Sequence, residues 1–162
     1  MPTAANNHLE RSIYQMDLKS TLQSDLKDAM RRGEETRKST IRMALSAIKL
    51  AEVDKGSQMD ESAYMAVIQK EIKSRRESIA DAERANRPEL IAQAEQEIKI
   101  LQGYLPAALS QEELEALVKA ALAEVGATSI REMGQVMKIL VPRLQGRATN
   151  DQASQVVRKL LQ

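Results

Sequence analysis

Residues 97–114 read EIKILQGYLPAALSQEEL, and the organisation of the whole chain turns on them. Ile98, Leu101 and Leu105 continue a helical spacing that begins at Leu90 and Ala94, until Gly103 and Pro106 break it. Ser110 with Glu113 three residues on then announces a new helix. A serine oxygen at the N-cap accepts the N3 amide, and the glutamate reaches back to the N-cap amide. One helix ends and another begins, with a short apolar linker over 103–109 where a hinge is expected.

Toward the N-terminus the same periodicity predicts three further helices. The first carries Leu18, Leu22, Leu26, Ala29 and Met30 and stops at Gly33. A second, over about 34–53, buries Ile41, Leu45 and Ile48 and closes at Lys55-Gly56-Ser57. The third starts near Asp60 or Ser62 and runs to about Ala85, with a stripe of Tyr64, Met65, Ile68, Ile72, Ile79 and Ala82. Asn86-Arg87 breaks it, and Pro88 opens the fourth helix, where a missing N–H costs nothing.

Beyond the linker, a fifth helix over 111–125 carries Leu114, Leu117, Val118, Ala121 and Leu122 and ends at Gly126. Ser129 with Glu132, and Thr149 with Gln152, repeat the capping signature. The sixth helix holds Met133, Val136, Met137, Leu140 and Leu144. Pro142 predicts a kink or an early end, and Gly146 the stop. Val156, Val157, Leu160 and Leu161 line the last helix. The reading is all-α: a loose lead-in over 1–15, a four-helix N-terminal domain over 16–105, and a three-helix tail domain over 106–162.

Composition points the same way. The chain has three Tyr, no Phe and no Trp, whereas strand-rich domains lean on aromatic and β-branched residues. Without Cys there is no disulfide, thiolate metal site or cysteine nucleophile. The single His8 lies in the lead-in, so no His-rich metal site or well-supported serine triad is expected. No P-loop, dinucleotide fingerprint or nucleophile elbow is present. No catalytic residue, metal ligand or cofactor is assigned. The first fifteen residues lack a basic segment followed by an apolar run, and no stretch is long and apolar enough for a membrane span. A cytoplasmic location without a membrane partner is the expectation. Met16 is a possible alternative start.

Net charge is +1, but it is unevenly spread along the chain. Residues 31–55 hold seven basic and four acidic residues, 88–125 two and seven, and 126–162 six and two. Gly146-Arg147-Ala148 leads into the last helix, whose free N–H groups and dipole suit an anion, and Arg147 adds a fork that matches phosphate. The ordinary reading of the same residues is a helix stop beside solvated arginines. Lys138, Arg143 and Arg147 are the leading candidates for contacting a nucleic-acid backbone, with Arg131 and Lys159 behind them. Lys70, Lys73 and Arg76 form a secondary basic face, interleaved with Glu71 and Glu77.

Other features have simpler explanations. Arg75 falls on the apolar stripe of its helix and must find a partner or snorkel. An ion pair with a neighbouring helix is favoured over a ligand contact. Glu34-Glu35, Asp60-Glu61 and Glu112-Glu113 sit at helix starts, where negative charge is stabilising without any catalytic role. Gly134 within a helical pattern suggests close helix approach or, less often, a ligand.

The segments IRMALSAIKLAEVDKG (41–56), VIQKEIKSRRESI (67–79) and EIKILQGYLPAALSQEEL (97–114) resemble the YqeY family. MGQVMKILVPRLQGRATNDQASQVVRKLL (133–161) resembles the tail of the GatB subunit of glutamyl-tRNA/aspartyl-tRNA amidotransferase. The resemblance covers about 16–162 and implies a four-helix domain joined to a three-helix tail. In the amidotransferases that tail touches the tRNA body, while a cradle with no counterpart here carries the chemistry. The expected function is therefore a non-catalytic module that binds tRNA or another structured RNA by its backbone. The alternative is a protein-interaction accessory in translation or of an amidotransferase. A third reading is the activity borrowed from GatB, a carbon–nitrogen ligase with glutamine as amido-N-donor.

Overall fold

The structure is a computed structural model that describes residues 17–162. The expectations for the lead-in, His8 and Met16 lie outside the described residues. Among the described residues the chain is all-helical, with seven α-helices, one 3-10 turn and no strand. It divides into two compact units, with the boundary between Tyr104 and Leu105.

The first unit contains α1 (Leu18–Arg32), α2 (Glu35–Lys55), α3 (Glu61–Arg84) and α4 (Pro88–Gln102). The Asp17 side chain caps α1 by accepting from the Lys19 N–H, and Asp60 caps α3 by accepting from the Ala63 N–H at 2.8 Å. Gly33 and Gly56 end α1 and α2 in the left-handed region, at φ +65° and +75°. Asn86 does the same between α3 and α4 at φ +53°, a conformation Asn tolerates better than most residues. Leu22, Ile41, Ile48, Ile68 and Leu101 are completely buried at the centre. α1 packs along α2 and α3 along α4, while α2 also touches α3 and α4.

Polar groups join these helices where large apolar side chains are missing. Glu52 on α2 accepts from Lys19 Nζ of α1 at 2.9 Å and from the Tyr64 hydroxyl of α3 at 2.5 Å. The Lys19 ammonium and the Tyr64 hydroxyl hold the Glu52 carboxyl below its ordinary range. Past the end of α4, the Tyr104 hydroxyl donates to Asp25 on α1 at 2.5 Å, and Arg37 on α2 donates to the same oxygen at 3.1 Å. Arg75, only 6% exposed, donates from Nε to Glu97 on α4 at 2.7 Å and from Nη1 to Glu71 at 2.8 Å. The expected interhelical ion pair at Arg75 is therefore present. Thr40 is fully buried and returns its hydroxyl to the Thr36 carbonyl at 2.8 Å.

The second unit contains α5 (Gln111–Val125), a 3-10 turn (Ile130–Glu132), α6 (Met133–Leu144) and α7 (Asn150–Leu161). The three α-helices pack pairwise around Leu114, Val118, Val136, Leu140, Val156 and Val157. Met133 and Met137 lie partly buried against this core, as their spacing implies.

Several expectations are corrected. α6 does not end at Pro142 but continues to Leu144, although Pro142 has no N–H for the carbonyl four residues back. Its stop is Gln145 at φ +50°, one residue before the predicted Gly146, which also turns left-handed at φ +74°. The segment after Ser129 is a 3-10 turn leading into α6, rather than the first α-helical turn. Gly134 meets no close neighbour: a Cβ there would find nothing within 4 Å, so close helix approach does not explain it. Met30, Leu90 and Leu160, each near a helix end, are 52%, 43% and 36% exposed rather than buried. Leu105 lies beyond α4 and is half-buried.

Two outcomes follow for the first unit. Arg75→Ala strands the half-buried Glu97 carboxylate and costs about 3 kcal/mol in urea denaturation. Arg75→Met combined with Glu71→Gln and Glu97→Gln, which removes the charges together, costs much less. Burial and the neighbouring Asp25 push the Tyr104 phenol up to about 12, from an ordinary 10.0. Its neutral form thus contributes stability that is complete below pH 10 and is lost between pH 10 and 12. Tyr104→Phe removes that loss, read as unfolding free energy against pH.

Candidate nucleic-acid interface

The tail residues named from the sequence are placed by two helix starts and one clamp. At the start of α5, Ser110 Oγ accepts from the Glu113 N–H at 3.1 Å, and the Glu113 carboxylate accepts from the Ser110 N–H at 2.8 Å. At the start of α7, Thr149 Oγ1 accepts from the Gln152 N–H at 3.1 Å, and Gln152 Oε1 accepts from the Thr149 N–H at 2.9 Å. Both boxes are those the Ser/Thr-x-x-Glu/Gln spacing predicts.

Arg147 holds the segment before α5 against the turn before α7. Its carbonyl accepts from the Leu109 N–H at 2.8 Å, and its Nε donates to the Ala107 carbonyl at 2.9 Å. Its Nη2 lies 3.5 Å from Glu113, with the side chain 36% exposed. The Ser110 amide, and after it the Arg147 guanidinium, hold the Glu113 carboxyl below its ordinary range. Between the two helix starts lies a cleft of about 330 Å³, lined among others by Leu109, Ser110, Leu114, Arg147, Gln155 and Lys159. Lys159 Nζ stands 3.8 Å from Glu115, whose carboxyl is lowered first by the Gln111 amide and then by Lys159 and Lys119.

Of the five tail candidates, the structure brings the leading Arg147 and the secondary Lys159 together at this cleft. Arg143 is turned to Glu124 on α5, at 2.6 Å. Lys138 on α6 and Arg131 on the 3-10 turn are exposed, do not line the cleft, and meet no carboxylate among the described residues. Lys70, Lys73 and Arg76 are exposed on α3 in the first unit. No group of three or more His, Cys, Asp or Glu is placed to hold a metal ion among the described residues.

The reading of a basic tail set apart from an acidic stretch is corrected. Glu113, Glu115 and Glu124 lie on α5, within the same unit as the arginines and lysine they meet. Residues 105–162 together hold seven basic and six acidic residues. A window along the chain separates α5 from α6 and α7, whereas packing interleaves their charges. Glu113 is legible as a capping residue, but nothing in the sequence marks Glu115 or Glu124 as ion-pair partners.

The geometry defines an all-helical protein of two units, the second carrying a capped, partly charged cleft. Comparison with known proteins identifies the family. The Yqey-like protein family matches residues 19–161, and the chain belongs to it. It is similar to the altered inheritance of mitochondria protein 41, mitochondrial, of Lachancea thermotolerans, 39% identical over 124 residues that cover 74% of this chain and 66% of the relative. The protein of the same name from Pyrenophora tritici-repentis is 34% identical over 134 residues, 81% of this chain and 73% of the relative. That of Vanderwaltozyma polyspora is 41% identical over 85 residues, 52% and 46% respectively. The chain spans roughly half to two thirds of the length of several curated relatives it matches. These relatives are named as mitochondrial proteins, which overturns the cytoplasmic expectation. That expectation rested on a missing secretory pattern and a missing membrane span, and neither separates the cytoplasm from the interior of an organelle. No helix among the described residues is long and apolar enough to cross a membrane.

The two capping boxes carry a stability test. Ser110→Ala and Thr149→Ala each lower the stability of the second unit by about 1 kcal/mol in chemical denaturation. Faster amide exchange in the first turn of the affected helix accompanies the loss.

Proposed function

We propose that this chain is a non-catalytic helical module that contacts the backbone of tRNA or another structured RNA through its second unit. In this reading the four-helix and three-helix units are its two domains. The observation that carries it is the convergence of Arg147 and Lys159 on the cleft between the starts of α5 and α7. Nε of Arg147 is committed to the Ala107 carbonyl, which orients the guanidinium. Its outer edge has only the 3.5 Å approach of Glu113, an exposed pair of a kind that contributes little and yields readily to a phosphate. The likeness of 133–161 to the tRNA-contacting tail of GatB supports the same assignment. The names of the relatives point to a mitochondrial setting for this work. Contacts to backbone and shape suit a chain with almost no aromatic side chains to stack on bases.

Arg143 is drawn toward Glu124, so it plays the smaller part in this reading, and exposed Lys138 and Arg131 serve as outer contacts. A second reading, as an accessory to a protein partner in translation, is favoured by the exposed apolar face of α2.

A salt titration of binding to bulk tRNA, with duplex DNA as control, tests the proposal. Wild type prefers tRNA and weakens steeply with salt. The double variant Arg147→Ala, Lys159→Ala lowers the slope of log affinity against log salt by about 1 to 2, roughly one per phosphate contact. An unchanged slope, or equal affinity for duplex DNA, overturns it.

A further inference from the structure

Helix α2 is apolar on two opposite faces, and the four-helix unit buries only one, although on the other the Met43 sulfur accepts from Arg75 Nη2 of α3 at 3.7 Å. Ile41, Ala44 and Ile48 point into the core and are 0–1% exposed. On the far side Met43, Leu50 and Val53 are 54%, 63% and 68% exposed. Ser39, Met43, Ser46, Leu50 and Val53 follow one another at alternating steps of four and three, the a/d spacing of a helix-pairing seam. In that register Met43 and Leu50 are a positions, Ser39, Ser46 and Val53 are d positions, buried Ile41, Ala44 and Ile48 fall at b and f, and buried Thr40 falls at e.

The flanks of the seam carry the specificity. Arg42 and Lys49 both occupy g positions, seven residues apart on one edge. Neither meets a carboxylate among the described residues; the guanidinium of Arg42 rests only against the Met30 sulfur at 3.8 Å. Nearby cations are committed elsewhere: Arg31 to Asp28, Arg37 to Asp25 and Glu34, and Lys38 to Glu35. On the other edge the e positions are Thr40, which is buried, Ala47 and Asp54. A second copy of α2 offers Asp54 at e and, at the first g position, Glu35, which is already paired to Lys38, and a parallel pairing would press serines against serines. An anionic membrane fits no better, since Asp54, Ser39 and Ser46 sit on or beside the apolar face and no aromatic residue anchors it.

We propose that the outer face of α2 is a docking seam for an amphipathic helix of a protein partner that carries leucine-like side chains at a and d and carboxylates opposite Arg42 and Lys49. The flexible Met43 side chain lets the seam adapt to the shape of that helix, and the buried face of α2 keeps it rigid and preformed. The assignment does not depend on the RNA reading, which concerns the other unit.

The test uses the full chain and two synthetic helical peptides as long as α2, both with leucine at a and d. One has glutamate at every e and g position, the other lysine. The acidic peptide binds about tenfold tighter than the basic one, and the double variant Arg42→Glu, Lys49→Glu inverts that preference. Leu50→Glu, at a side chain that supports no core packing, weakens both peptides by tenfold or more while the thermal melt is unchanged. Failure of the acidic peptide to bind, equal binding of both peptides, or indifference to Leu50→Glu overturns the proposal. So does a dimer in sedimentation that Leu50→Glu dissolves, which makes a second copy the occupant. Binding to anionic vesicles that Leu50→Glu abolishes, without preference between the peptides, makes it a lipid surface.

Discussion

The buried guanidinium of Arg75 governs how the first unit is built. A charge at 6% exposure persists only with partners of opposite sign, and it finds Glu71 one turn back and Glu97 across on α4. That requirement sets the register in which α3 and α4 meet. Leu101 then falls into the centre with Ile68. The same device recurs at Glu52 and Asp25, where one carboxylate receives donors from two other elements. In a chain without Phe or Trp, carboxylates that join helices supply orientation that aromatic side chains supply elsewhere.

The second unit depends on a different clamp. Arg147 closes the segment before α5 onto the turn before α7 by one backbone and one side-chain hydrogen bond. Two capped helix starts are thereby held on either side of a cleft. The clamp also consumes part of the charge that makes the tail look basic. Arg147, Arg143 and Lys159 each face a glutamate of α5, so an anion reaching the cleft competes with carboxylates already there. Any RNA contact through this unit is consequently one of few phosphates, with a salt dependence in proportion to their number. The outer face of α2 is the complementary case, with Leu50 and Val53 uncovered beside cations that meet no carboxylate among the described residues.

Helix number, order and approximate ends were legible in the sequence because they rest on local physics. Leu and Ile at helical spacing, Ser and Thr caps three residues before Glu or Gln, and glycines at positive φ act over one or two turns. The family was legible for a related reason: long ordered segments such as 41–56 and 97–114 carry core, cap and linker together. The local rules failed where two signals compete. α6 passes through Pro142 because core burial of Val136, Leu140 and Leu144 outweighs one missing hydrogen bond. Met30, Leu90 and Leu160 obey the stripe yet stay exposed, since a stripe says which face is apolar and not how far a neighbour reaches.

What the sequence determined by itself was therefore the class of element at each position, and the fact that Arg75 needed a partner. Tertiary structure alone decided that Glu97 is that partner, that α5 pairs Arg143 of α6 and Lys159 of α7, and that Lys159 rather than Lys138 joins Arg147. Each of these is a contact between residues far apart along the chain, set by how helices pack rather than by spacing. The two-faced character of α2 shows the boundary. Both stripes can be read from residues 39–53, but only packing shows which one the core buries and which is left for a partner.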